Sequence, residues 1–314
     1  MEKAITKYFA TQEIKVNRVV KLCKGTNKNT YKIFADKTYI LKVYDKDKSF
    51  LHSQIKWLRE THKYADIAIY PLNENILHIT DKFGYYYEFF NGVEVQNAKI
   101  KNKEFWFGGK IAYFDSVLSK VSKKKTKSKF YSWDEQKDIK KLIFQFKTEK
   151  SRILSLVKTG FDLIEKDLKN IYLSECRTQL IHRDLHYSNM LYNKGRIKII
   201  DTDCIDYDLL PYSISVIMSY CFSKKFNPKS ISDLLQGYTK RIDLNKTELE
   251  LIPLLIVKRK LVELAWLKGQ LKLGKHTRKE FEEFSGHTIK NLKNIINNYS
   301  LLKQFFKKVK TKTI

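Results

Sequence analysis

Sulfur, uncharged apolar stretches and arginine are all scarce in this chain, and each scarcity removes a class of protein. Four cysteines, Cys23, Cys176, Cys204 and Cys221, are spread over 314 residues with no Cys-x-x-Cys pair and no Cys/His cluster of metal-ligand spacing. That excludes a zinc site and a disulfide framework, and reduced, packed thiols are expected. The most apolar stretch, Leu249 to Leu267, is interrupted by Pro253, Lys258, Arg259, Lys260 and Glu263. A bilayer span needs about 20 nearly uncharged residues, so no membrane span is expected and this stretch reads as a buried helix. Residues 1–17 alternate charged and apolar side chains without a continuous apolar run. Neither a secretory leader nor an anchor is expected there, and the expected location is cytoplasmic.

Arginine accounts for nine of the 61 basic residues, against 52 lysines, in a chain of formal net charge +27. Such a charge can mark an anionic polymer as partner, and the runs Lys120 to Lys129 and Lys303 to Lys312 are the candidates. Proteins that read phosphate by bidentate forks favour arginine, however. The chain is also rich in Ile, Asn and Tyr, as expected of an AT-rich coding sequence, and no zinc finger, helix-turn-helix or RNP-type motif accompanies the charge. A solvated lysine surface is therefore expected, and no specific nucleic-acid partner.

With 314 residues, 43% of them hydrophobic, the chain can bury a sizeable core and is long enough for two domains. Runs of β-branched and aromatic residues at Thr30 to Ala35, Thr38 to Tyr44, Ile76 to Thr80 and Gly84 to Phe90 predict strands. Between them, Phe50, Leu51, Ile55 and Leu58 trace one face of a helix over Ser49 to His62. After Gly92 the period lengthens. Apolar residues recur at three and four from Ile139 to Phe161, and likewise in Ser213 to Phe222, Leu251 to Leu267 and Phe281 to Phe306. The expected fold class is α+β, with a β-rich domain at 1–90 and a mainly helical domain at 91–314. A strand, loop and strand around Leu180 to Asp201 interrupts the helices.

That interruption holds the chemistry. Ile181 to Asn189 reads I-H-R-D-L-H-Y-S-N, and an apolar strand, Arg196 to Ile200, then ends in Asp201-Thr202-Asp203. Carboxylates and an amide at this spacing suit phosphoryl transfer. One carboxylate takes the proton of an attacking hydroxyl, and hard oxygen donors hold Mg against the β- and γ-phosphates. His182, Arg183, Asp184, Leu185 and Asn189 match the kinase pattern H-R-D-L-x-x-x-N. Asp184 would be the base and Asn189 and Asp201 the metal ligands. Upstream, Tyr39 to Tyr44 reads Y-I-L-K-V-Y, placing Lys42 on a strand as the lysine that meets the α- and β-phosphates. The backbone at Glu88 to Phe90, where an apolar strand runs into a turn, is where adenine would hydrogen-bond.

These residues resemble the aminoglycoside phosphotransferase and choline kinase superfamily, which includes spore-coat proteins of the CotS type. The likeness runs from about Asn27 to Tyr220 and is strongest at I-H-R-D-L-H-Y-S-N-M-L-Y and I-K-I-I-D-T-D. It implies a two-lobed, protein-kinase-like fold whose first lobe binds nucleotide. It implies Asp184 as catalytic base, Asn189 and Asp201 as Mg ligands, Lys42 as the phosphate lysine, and Glu88 and Phe90 in the adenine-binding hinge. The loop Lys24-Gly25-Thr26-Asn27 falls where the nucleotide loop belongs, with Asn27 as a nucleotide contact. Asp203 is the second Asp of the D-x-D block. His186 is either a phosphate or substrate contact or a support of the loop. The implied activity is ATP- and Mg-dependent transfer of a γ-phosphate to a hydroxyl of a small molecule: an amino alcohol, a sugar, an aminoglycoside-like compound or a cell-envelope precursor.

Several departures bear on that reading. The nucleotide loop has one glycine, and only Cys204 to Pro211 separates Asp203 from the next helix, leaving no room for an activation loop or an A-P-E element. Both point away from protein substrates. The helix position aligned with the family's glutamate is Gln54, with Glu60 further on, so the partner of Lys42 is open. Where the family tends to place an Asp after the D-x-D block, Tyr212-Ser213-Ile214 stands. Asp206 and Asp208 either line a pocket for a cationic substrate or cap the helix starting near Pro211, and Trp266 and Glu263 either face the acceptor or, for Trp266, pack in the core. Two other classes remain: a catalytically weak kinase fold serving spore-coat or envelope assembly, which the Gln54 substitution favours, and a basic nucleic-acid-binding protein, which the charge favours. The oligomeric state and the acceptor's identity are not legible.

Overall fold

The computed structural model describes residues 1–22, 29–44, 48–73, 76–79, 82–121, 146, 151–222 and 226–309. Asn27 with its loop, most of the lysine run at 120–129, the start of the helical run at Ile139 and the end of the tail lie outside that set. The chain forms two compact units, residues 1–98 with 187–204 and residues 99–186 with 205–314.

In the first unit, α1 (Glu2–Ala10) precedes β1 (Arg18–Leu22), β2 (Thr30–Phe34) and β3 (Thr38–Tyr44), then come α2 (Lys48–Tyr64), β4 (Leu77–Ile79) and β5 (Lys82–Glu88). The strands make an antiparallel sheet in the order β1-β2-β3-β5-β4. Side chains alternate across a strand. Tyr39, Leu41 and Val43 therefore enter one core with Tyr31, Ile33, Leu77, Ile79 and Tyr86, and Lys42 and Tyr44 share the opposite face. Ile5 and Phe9, one helical turn apart in α1, complete that core. The alternation of charged and apolar residues at 1–17 thus conceals a helix. On α2, Leu51, Gln54, Ile55, Leu58 and Thr61 are buried at spacings of three and four.

After β6 (Val93–Glu94) the chain enters the second unit, which includes β7 (Thr178–His182), and returns with β8 (Met190–Asn193) and β9 (Arg196–Ile199). The three strands pair in the order β6-β8-β9. Lys194 (φ 45°) and Gly195 (φ 85°) close the β8–β9 hairpin, and two consecutive positive φ values are the form of two-residue turn that matches strand twist. Ile199 is fixed from its other side by the Ile67 to Ile69 segment. Its N–H donates to the Ile67 carbonyl at 2.8 Å and its carbonyl accepts from Ile69 at 3.1 Å.

The second unit is mainly helical: α3 (Lys103–Val121), α4 (Ser151–Leu168), β10 (Ile205–Leu209) paired antiparallel with β7, α5 (Leu210–Tyr220), α6 (Pro228–Thr239), α7 (Lys246–Lys272), α8 (Arg278–Asn297) and α9 (Tyr299–Lys308). The helix expected over Phe281 to Phe306 divides at Asn298. Capping boxes start α7, where Asn245 and Glu248 exchange hydrogen bonds, and α8, where Thr277 and Glu280 do so. Where α3 crosses α6, a methyl added at Gly108 would overlap the Leu234 carbonyl oxygen, and one at Gly237 the Phe105 carbonyl oxygen. Only glycine lets these backbones approach so closely. Among the described residues no helix is long and apolar enough to cross a membrane.

Candidate active site

Two charged centres stand out, one in each unit. In the first unit, β3 carries Lys42 into a buried position where its ammonium meets Asp201 Oδ1 at 2.6 Å and Asp203 Oδ1 at 3.4 Å. Burial alone would push this lysine down, but the Asp203 and Asp201 carboxylates overrule it and hold its pKa well above the ordinary value. Tyr44, two residues on and so on the same face, donates its hydroxyl to Asp203 at 2.6 Å and stacks on Tyr85. Asp201 has φ 57°, in the left-handed region that Asp tolerates better than most residues. Such conformations cost about 1–3 kcal/mol and gather at functional sites. The strand β9 reaches Ile199, and the left-handed residue two positions later redirects the chain.

Asn189 joins this centre through the hairpin. Its carbonyl accepts the Ile200 N–H at 2.9 Å, one step beyond the Met190–Ile199 pair of β8 and β9. The hairpin therefore sets Asn189 across from the residue that precedes Asp201. Among the described residues no group of three or more His, Cys, Asp or Glu side chains could hold a metal ion by itself. Asp201 and Asn189 offer a carboxylate and an amide oxygen, hard donors of the kind that Mg takes alongside water and substrate phosphates.

In the second unit, His182 lies at the end of β7, fully buried, and its Nδ1 accepts the Asp184 N–H at 3.2 Å while its carbonyl accepts from Leu185 at 3.3 Å. Arg183 donates to Asp208 at 2.8 Å. His182 and Arg183 thus staple the loop that presents Asp184. The Asp184 carboxylate is ion-paired with Arg259 of α7. Burial works against the Arg259 charge, but Asp184 overrides it and raises the guanidinium further. Lys260, the next residue, is fully buried, pairs with Glu263 at 2.8 Å and lies 3.9 Å from the centre of the Tyr220 ring. Burial pulls the pKa of Lys260 down. Glu263 also accepts from Thr288 of α8 at 2.6 Å. The His186 ring lies 5.2 Å from that of Tyr220.

The structure gives partners to several other residues that the sequence singled out. Neither Gln54 nor Glu60 holds Lys42: Asp201 and Asp203 do, while Glu60 pairs with Lys63 at 2.7 Å. Glu88 ends β5 with its carboxylate 3.2 Å from Lys37, and the Phe90 carbonyl accepts from Gly92 at 3.0 Å while its ring lies under the Arg196 guanidinium. Asp206 and Asp208 lie on β10 and do not cap α5, whose N-cap is Leu209 with no side-chain bond. Trp266 is not core; it is 42% exposed with its edge on His276. Near Ser213, the carboxylate comes from α3 instead of α5. Asp115 accepts from Ser213 at 3.0 Å and from Tyr238 at 2.8 Å, and burial pushes its carboxyl up to about 7. Sequence reasoning missed Tyr44, Asp115 and the role of Arg259. For Arg259 the available signal was a run of three cations inside an otherwise apolar helix.

Together, a small antiparallel sheet and a mainly helical remainder define an α+β chain of the kinase-like fold found in small-molecule kinases. Among solved structures, a microcompartment-associated aminopropanol kinase matches with a TM-score of 0.72 at 16% identity, over 96% of this chain and 99% of that one. Spectinomycin phosphotransferase in complex with ADP and spectinomycin matches with a TM-score of 0.67 at 17% identity, over 96% and 98%. Choline kinase from Streptococcus pneumoniae matches with a TM-score of 0.68 at 17% identity, over 93% and 99%. No family model matches the chain, and no curated protein matches it by sequence.

Proposed function

We propose that this protein is an ATP- and Mg-dependent phosphotransferase that moves the γ-phosphate to a hydroxyl of a small molecule. The observation that carries this reading is the meeting of Lys42 with Asp201, residues 159 positions apart, on a kinase-like fold. Three similar structures are small-molecule kinases, one of them holding ADP with its acceptor. Residues of this chain divide the work. Lys42 binds the α- and β-phosphates, and on doing so exchanges its carboxylate partners for phosphate oxygens. The backbone at Glu88 to Phe90 binds adenine. Asp201 and Asn189 are the residues to hold Mg, and Asp203 is kept in place by Tyr44. Mg bound there would neutralise charge on the β- and γ-phosphates.

Asp184 orients the acceptor hydroxyl and takes its proton as the oxygen bonds to the γ-phosphorus. The bond from that phosphorus to the β–γ bridging oxygen breaks, and its electron pair leaves on ADP. A second reading, a kinase fold with weak or no catalysis, draws on Lys42 having no carboxylate partner from α2. The test is a panel of hydroxyl acceptors with γ-labelled ATP. General-base contributions are typically about 10²–10⁴ in rate. Asp184→Asn should therefore lower kcat for any accepted compound by about that factor. Unchanged transfer in the variant would overturn the role given to Asp184, and no transfer to any acceptor by the wild type would favour the second reading.

A further inference from the structure

The surroundings of Asp184 say what kind of acceptor fits it. α7 places three consecutive cations, Lys258, Arg259 and Lys260, in an otherwise apolar and buried stretch. Arg259 pairs with Asp184 and hydrogen-bonds with Tyr220, while its Nε is buried and has no hydrogen-bond partner among the described residues. A guanidinium carries five N–H donors, so two partners do not exhaust it. The carboxylates nearby are taken. Glu263 is held by Lys260 and Thr288, and Asp208 by Arg183 and the Leu209 N–H. Asp206 accepts the Tyr207 N–H and feels the Arg183 charge. An ammonium brought to Asp184 would meet a guanidinium and a second ammonium, with the local negative charge already matched. An oxyanion would meet a positive neighbour whose guanidinium keeps N–H donors beyond those engaged by Asp184 and Tyr220.

We propose that the acceptor carries an oxyanion, a carboxylate or a phosphate, close to the hydroxyl that is phosphorylated, and that Arg259 selects it. This rests on the phosphotransferase reading above. Arg259 is a positioning residue for Asp184 and a specificity-determining one for the acceptor. Its planar fork can span the Asp184 carboxylate and a ligand oxyanion at once, which the point charge of a lysine cannot do. The net charge of +27 acts in the same direction by drawing anions towards the protein.

The test uses the full chain and four three-carbon probes that differ at one end: glycerate, glycerol 3-phosphate, glycerol and 3-amino-1,2-propanediol. Binding is read by saturation-transfer NMR near physiological ionic strength, where the Debye length is about 8 Å and the global charge is largely screened. Wild type should bind at least one of the two anions about tenfold more tightly than the amine, the size of one charge-assisted contact. Which anion leads separates carboxylate from phosphate. In Arg259→Gln the anion should fall to the level of glycerol, and Arg259→Lys should recover part of the difference. The amine binding as tightly as the anions, no probe binding, or the same order in Arg259→Gln would overturn the proposal. The wild-type order decides even where a variant fails to fold. ATP binding is measured on the same samples: retained with the wrong probe order, it refutes the acceptor class alone; lost, it refutes the phosphotransferase reading as well.

Discussion

Lys42 and Asp115 are both buried ionisable groups with raised pKa, so both lose stabilisation as pH rises, but in different pH ranges. The raised pKa of Lys42 lies above an ordinary value of 10.5, so its stabilising charge is complete below that value and is lost only in strong alkali. Near neutrality it contributes no pH dependence. Asp115 does, because its carboxyl is pushed from an ordinary 3.8 to about 7 by burial, with Ser213 and Tyr238 opposing only in part. The folded chain then keeps a proton that the unfolded chain has released. Stability from this group is therefore greatest at low pH, falls between about pH 4 and pH 7 and levels off above. Asp115→Asn, which cannot ionise, should raise Tm relative to wild type above pH 7, with the gap closing towards pH 4. Thermal unfolding across that range checks it, and a constant offset would show that Asp115 is not the titrating group.

At the level of elements, the α3–α6 crossing makes the sharpest demand on sequence. Gly237 faces the Phe105 carbonyl oxygen with no room for a methyl group. Overpacking of this sort costs about 1–3 kcal/mol. Gly237→Ala should therefore lower the stability of the helical unit by about that amount, read by denaturant melts, and Gly286→Ala, where a methyl would meet open space, should not. How far elements were legible follows from how local their cause is. β3, β5 and α2 are written in periods of two and of three to four residues, and the structure has them within one to two residues of expectation. α1 was hidden because a short amphipathic helix and a charged strand share the same mixture of residues. β10 was hidden because Ile205 to Leu209 pairs with Thr178 to His182, a long-range contact that no local pattern records. The candidate site follows the same rule. Asp184, Asn189 and Asp201 fall within one motif, whereas Arg259 reaches Asp184 from 75 residues away and its helical phase alone decides which way it points.

For the whole molecule, the charge of +27 comes chiefly from lysine spread along the chain. Duplex DNA should bind weakly, with Kd of ~10⁻⁶ M or above near physiological salt, and affinity should fall steeply as salt rises, as nonspecific phosphate contacts do. Salt-titrated binding measurements check this, and a sequence-selective nanomolar complex would contradict it.

The proposed function gives nucleotide and Mg to the Lys42, Asp201 and Asn189 centre and the acceptor to Asp184. Calorimetric titration with ATP, with and without Mg, on wild type, Asp201→Ala and Asp184→Asn tests it most directly. Mg should tighten ATP binding in wild type, Asp201→Ala should remove this effect, and Asp184→Asn should bind ATP as wild type does. Equal affinity with and without Mg in all three proteins, or loss of ATP binding in Asp184→Asn, would contradict it.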